Sequence, residues 1–261
     1  MASEKFTSQS LSFNRKMVRA SASVTRKKNS IHSVTEVDIT IPRELIKRHK
    51  EQSGEKLSFT AYIVTCFAQV IRQHPRLNSF IKGNRLVILK DVSISVMIER
   101  EFNGEAVPEP MVIKKAQDKT YRQINDEVRN AGKQEYHRMG ESSKAAWIRF
   151  IPGFLLKTFI KLADRSKKMA AKYGKVAVTA VGMFSKEPVW FIPHGTATVL
   201  VTVGSIVKRV VEVNGQFESR EHLCLSVSFD HDIIDGAPAA RFMNQFIETI
   251  KDGGLIMNLK K

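Results

Sequence analysis

The chain has 261 residues, with 42 lysines and arginines against 26 acidic residues, a formal charge of +16. At 43% apolar and 26% charged it has the balance of a globular chain long enough for a substantial core, which excludes wholesale disorder; 14 glycines and 8 prolines exclude a collagen-like or linker-dominated polymer. Two widely separated cysteines, Cys66 and Cys224, argue against a disulfide framework or a cysteine zinc site and for a reducing, cytoplasmic setting, while the polar start and the lack of any run of eighteen apolar residues leave no secretory or membrane-spanning signal.

Charge is the first feature along the chain. Residues 1–31 carry seven basic residues against Glu4, a local +6, and residues 144–175 carry nine against Asp164, a local +8. These two stretches attract polyanions: a phosphate-bearing cofactor, anionic lipid or nucleic acid. No basic motif interleaved with aromatics supports nucleic acid.

Residues 33–41 alternate, with Val37, Ile39 and Ile41 on one side, which predicts a strand ended by Pro42. A short polar helix is expected at roughly 43–52. A second, with Ser58 as N-cap, spans roughly 58–74 and buries Ile63, Phe67, Val70 and Ile71. Two β-rich runs lie within 85–99, split at Lys90-Asp91; 105–113 is extended, and Pro108 and Pro110 put it at an edge. Residues 117–138 suggest a surface helix.

In 145–173, Leu155, Leu156, Phe159, Ile160 and Leu162 leave Lys157, Lys161 and Arg165 on the other side. This pattern suits a membrane surface, a cover over a lipophilic pocket, or a core helix with snorkelling lysines. From 176 the pattern is β, with Asn214-Gly215 marking a hairpin, and after Asp235-Gly236 a helix is expected at roughly 237–251. The expectation is an α/β (α+β) chain, a mixed β-sheet layered with helices, forming a single domain over 1–261 with a basic amphipathic insert at about 139–173.

One segment carries the chemistry. His231 follows the strand-like Ser226–Phe229 and precedes a helix, so it is held at a strand end where a general base can face a cleft. Asp235 is placed to cap that helix and fix the loop, and Gly236 tolerates unusual backbone angles. By spacing alone these residues equally suit a structural histidine and an ordinary turn. His194 is a candidate pocket residue or a loop histidine, Ser185 lacks a G-x-S-x-G context, Cys66 and Cys224 read as small buried hydrophobes, and no histidine pair has metal spacing.

The run from His231 to Gly236 resembles the H-x-x-x-D-G motif of the chloramphenicol acetyltransferase-like superfamily. With Asp230 before it and Ala237 to Phe242 after it, the run is closest to the catalytic domain of dihydrolipoyl acyltransferases of 2-oxo acid dehydrogenase complexes. The segments Val178–Phe184, Gly204–Ile206, Arg15–Met17, Lys56–Asn78 and Lys90–Val96 are similar to family segments in the same order. The sequence departs from that pattern at Asp232, where arginine is common, and in 139–173. Asp118-Lys119 is similar to a lipoyl attachment pair but reads as surface charge, so no lipoyl group is expected on what looks like a stand-alone catalytic domain.

The resemblance implies a chloramphenicol acetyltransferase-like fold and transfer of an acyl group from acyl-CoA or a lipoyl-type thioester to a thiol, hydroxyl or amine, without an acyl-enzyme or a metal. His231 would be the base, Thr179 the hydroxyl donor to the oxyanion, and Asp235 the loop-orienting residue, with Arg15 or Arg19 as its salt-bridge candidate. It also implies a homotrimer or a multiple of trimers in which His231 faces Thr179 of a neighbour. Two other readings remain: a non-catalytic scaffold that keeps the fold, and a basic protein bound to an anionic membrane surface.

Overall fold

A computed structural model describes residues 6–102, 105–133 and 153–257. The alternating, β-branched runs become β1 (Ser30–Asp38), β4 (Ile94–Phe102), β5 (Glu105–Ile113), β6 (Val176–Ala180), β7 (Val199–Val213) and β8 (Gln216–Asp230), and a separate small hairpin comprises β2 (Ser79–Lys82) and β3 (Arg85–Ile88). The six form one sheet in the order β1-β8-β7-β6-β4-β5. The pairs β4/β6 and β6/β7 are parallel, and β1/β8, β7/β8 and β4/β5 antiparallel, so the sheet is mixed, as expected. β5, with Pro108 and Pro110, is an edge, where a missing N–H costs no ladder bond.

One face of the sheet presents Val176, Val178, Val199, Val201, Leu225 and Val227 to a continuous core shared with α3 (Phe59–Gln73) and α7 (Gly236–Asp252). Ser58 caps α3 as its position predicts, its Oγ accepting from Ala61 N at 3.3 Å. Nearly all of α3 is buried, and the Tyr62 hydroxyl donates to Ile250 O at 2.7 Å, fastening α3 to the end of α7.

The hairpin is a single turn between two fifteen-residue strands: Asn214 and Gly215 both have positive φ (52° and 80°), as a two-residue type I′ connection requires. The strand before it, β7, is bent by a bulge between Val203 and Ile206. Ile41 does not join the strand face. It sits exposed in the first turn of α2 (Thr40–Ser53), because β1 ends at Asp38 and only Val37 and Ile39 reach the core.

Two helices differ from the reading. α4 (Tyr121–Lys133) is not wholly superficial: Tyr121, Ile124 and Asn125 are buried, and Asn125 Oδ1 accepts from Ser58 N at 2.8 Å. At the N-terminus, α1 (Phe13–Thr25) had no clear apolar stripe to announce it; Ser12 caps it, its Oγ accepting from Arg15 N at 3.2 Å. α1 packs on α5 (Gly153–Asp164), the described part of the basic amphipathic segment, and α6 (Lys167–Tyr173) follows; the start of that segment, 139–152, lies outside the described residues. α8 (Gly254–Met257) ends the described chain. Among the described residues no helix is long and apolar enough to cross a membrane.

Just past β6 the backbone approaches the bulge so closely that a Cβ on Gly182 would lie 1.6 Å from the carbonyl oxygen of Gly204. Gly182→Ala must push two backbones apart, and a loss of roughly 2 kcal/mol or more is expected, read as a melting temperature several degrees lower.

Candidate active site

His231 is the first residue after β8, and its surroundings are built by the backbone. The carbonyl of Asp230 accepts from both Ile233 N and Ile234 N at 3.0 Å, turning the chain sharply, and the buried Ile233 and Ile234 anchor the turn in the core. His231 N donates to Asn29 O at 2.7 Å, and the Asn29 side chain donates to Asp232 Oδ1 at 2.9 Å. The imidazole is thus carried by a fixed backbone yet remains 44% exposed, with Nδ1 3.8 Å from Asp235 Oδ1.

Asp235 occupies the N-cap position of α7, but its side chain makes no capping hydrogen bond and is 82% exposed. The expected cap is therefore absent, because the carboxylate turns toward His231 instead of back over the first turn of α7. Neither Arg15 nor Arg19 pairs with it.

The turn depends on a charged network that the sequence did not reveal. Asp230 is nearly buried, and Lys28 Nζ donates to its Oδ2 at 3.0 Å and to Thr196 O at 2.8 Å. Lys28 also lies 3.8 Å from Asp164 of α5, which takes a 2.6 Å contact from Lys175 at the start of β6. Burial pushes the Lys175 pKa down, and the Asp164 carboxylate opposes that push. The only signal in the sequence was that Lys28 belongs to the basic N-terminal cluster and that Asp230 flanks His231.

Beside this network lies a cavity of about 380 Å³ between α1, α5 and β2, lined among others by Lys27, Lys157, Lys161, Arg165, Phe80 and Asp232. Its lining includes Asp230 and Asp232, so it adjoins the His231 turn, and it sets five lysines and arginines beside three aspartates and neutral side chains.

Thr179 lies elsewhere. On β6 it is in register with Thr202 of β7, and Thr202 with Ser226 of β8, so three hydroxyl side chains form a row on the sheet face away from the valine core. The hydroxyls of Thr202 and Ser226 are buried with no hydrogen-bond partner among the described residues. Val176, Val199 and Phe229 share one level across the strands. Thr179 is three residues from that level in one direction and His231 two residues beyond it in the other. At about 3.3 Å per residue they are separated by roughly 17 Å along the strands, and by about 10 Å more across two strand spacings. Within one chain they do not meet.

The remaining candidates are structural. Cys66 and Cys224 are buried free thiols, and burial pushes the Cys66 pKa up to about 12, which makes it a poor nucleophile. The Ser185 hydroxyl closes a turn onto Glu187, Lys119 pairs with Glu127 at 2.6 Å, and His194 is exposed on a loop.

Comparison with known proteins follows the same outline. The family model of the 2-oxoacid dehydrogenases acyltransferase (catalytic domain) matches residues 4–141 and 161–258, skipping 142–160 inside the basic segment. The lipoamide acyltransferase component of the branched-chain alpha-keto acid dehydrogenase complex of Bacillus subtilis is 28% identical over 231 residues, covering 84% of this chain and 47% of that protein. The chain thus spans about half the length of the curated relatives it matches. The Azotobacter vinelandii dihydrolipoamide acetyltransferase, studied for the role of a serine, a histidine and an asparagine in its catalytic mechanism, superposes with a TM-score of 0.72 at 19% identity, over 97% of this chain and 94% of that one. The cubic core of the pyruvate dehydrogenase multienzyme complex superposes at 0.70 and 18% identity, over 97% and 96%. Both share this fold.

Removing Lys28 leaves the Asp230 carboxylate buried without its cation. Lys28→Met is expected to cost about 3 kcal/mol in urea unfolding, a breakage penalty that exposed pairs such as Lys251–Glu248 do not carry.

Proposed function

The chain belongs to the family of 2-oxoacid dehydrogenase acyltransferase catalytic domains, and from that membership we propose that it moves an acyl group from a thioester, acyl-CoA or a lipoyl-type carrier, to a thiol, hydroxyl or amine, with the whole chain acting as one catalytic domain in the cytoplasm. The observation that carries the reading is the His231 turn: an exposed imidazole on a strand end locked from below, beside a cavity lined in part by lysines and an arginine. Phosphate-bearing coenzyme A suits those walls.

In this mechanism the Asp235 carboxylate, 3.8 Å from Nδ1, favours the tautomer with the proton on Nδ1, which leaves Nε2 as the base. The imidazole takes the proton of the acceptor thiol as general base. The sulfur attacks the thioester carbonyl, the carbonyl electrons move to oxygen, and a hydroxyl steadies the tetrahedral oxyanion. Collapse expels the donor thiolate, which takes the proton back from the imidazolium. No bond to the protein forms.

The hydroxyl assigned to the oxyanion is Thr179 of a second copy, since the two residues lie toward opposite ends of one sheet; a trimer or a multiple of trimers supplies the neighbour. Spacing supports the assignment. Thr179, His231 and Asp235 are 52 and 4 residues apart, the same intervals that separate the serine, histidine and asparagine of the Azotobacter enzyme.

His231→Ala is expected to abolish free-thiol release from an acyl-CoA series while the melting temperature holds; retained turnover would overturn the mechanism. Thr179→Ala is expected to slow turnover about 100- to 1000-fold. Co-refolding the two inactive variants tests the two-chain site, because mixed oligomers bring an intact His231 against an intact Thr179. Activity well above either variant alone is the expected result, and none would place both groups within one chain. A stable oligomer without turnover on any acyl donor would make the protein a scaffold.

A further inference from the structure

α5 is an amphipathic helix whose second apolar side is exposed. Leu156 is buried, with Ile160 and Ala163 half-buried on the same side, while Phe154, Leu155, Phe159 and Leu162 are each between 48% and 67% exposed. At about 100° per residue, Leu155, Phe159 and Leu162 fall within an arc of roughly 60°, with Phe154 flanking it, so they form a continuous stripe. Phe6, Leu11 and Val18, on α1 and the arm before it, are exposed as well.

Cations are concentrated around this stripe. Elsewhere some surface cations sit on carboxylates, Arg43 on Glu221 and Arg209 on Glu36 among them, and others, such as Arg72, Arg76, Lys82 and Arg85, form no ion pair with a described carboxylate. On α1, α5 and the start of α6, Arg15, Lys16, Arg19, Lys157, Lys161, Arg165, Lys167 and Lys168 are exposed, and none forms an ion pair with a described carboxylate. Asp164, the only acid of α5, is consumed by Lys175 and Lys28.

We propose that this α1–α5 face docks on an anionic lipid bilayer, with the α5 stripe sunk into the interface and the surrounding cations on headgroup phosphates. The charge favours this occupant: a dense set of cations suits anionic headgroups, and a second copy placed face to face about a two-fold axis would set the same cations against each other. α5 has 12 residues, so it is about 18 Å long against a hydrocarbon core of about 30 Å, and it lies in the surface plane. Apolar residues of such a helix enter about 5–10 Å, while neighbouring lysines and arginines each add attraction to anionic lipid. The proposal does not depend on the acyl-transfer reading.

The test is co-sedimentation of the full chain with vesicles. Binding to phosphatidylcholine with about 30% phosphatidylglycerol, little binding to phosphatidylcholine alone, and a drop of at least about tenfold on moving from 0.1 to 0.5 M salt are expected. The triple variant Phe154→Ser/Phe159→Ser/Leu162→Ser is expected to lose most of the binding, with its sedimentation coefficient and melting curve unchanged. No binding of the unaltered chain to the anionic vesicles overturns the proposal. So does salt-sensitive binding indifferent to the triple variant, which marks plain polyanion adsorption. Loss of the oligomer in the triple variant would instead assign the stripe to contact between copies, also against the proposal. If the triple variant fails to fold, the single variant Phe159→Ser carries the same comparison: weaker binding to the anionic vesicles is expected, and unchanged binding overturns the proposal.

Discussion

The carboxylate of Asp230 is the constraint on which the rest depends. It is charged, nearly buried, and placed at the end of β8 just before His231. Such a group is tolerated only when its charge and lone pairs are met, and Lys28 meets them. Lys28 in turn leans on Thr196 O and on Asp164, and Asp164 on Lys175. Four charges from the N-terminal segment, α5, β6 and β8 thus converge at one point, tying segments more than two hundred residues apart to the turn that aims His231. The arrangement positions more than it stabilises, since a buried pair gains little over apolar packing but is costly to break.

Above that knot the sheet sets distances. Three levels of ladder separate the Val176–Val199–Phe229 row from Thr179, and the His231 turn lies on the other side of the row. A β-sheet cannot bend its own two ends together over this span, so a reaction needing both groups recruits a second sheet. The row of hydroxyls at Thr179, Thr202 and Ser226 faces away from the valine core, with Thr202 and Ser226 buried.

The basic segments have two distinct surroundings. Lys28 and Lys175 are sequestered with carboxylates inside the protein, whereas Lys157, Lys161 and Arg165 line the cavity beside an exposed apolar stripe and pair with no described carboxylate. Net charge alone does not separate these roles; burial does.

Alternation in β4 and β6–β8, the capped α3, the Asn214-Gly215 turn and the helix after Gly236 were legible in the sequence, because each follows from local sterics, side-chain periodicity or a backbone angle confined to a few residues. The His231–Asp235 spacing was legible for the same reason: four residues around a turn bring the two side chains to one side. What the chain by itself did not determine was every relation between distant segments: the pairing of β1 with β8, the packing of α1 on α5, the Lys28–Asp230–Asp164–Lys175 network, and the refusal of Asp235 to cap α7. Those outcomes are set by which groups lose water together, and a group's desolvation depends on neighbours that only the folded chain supplies.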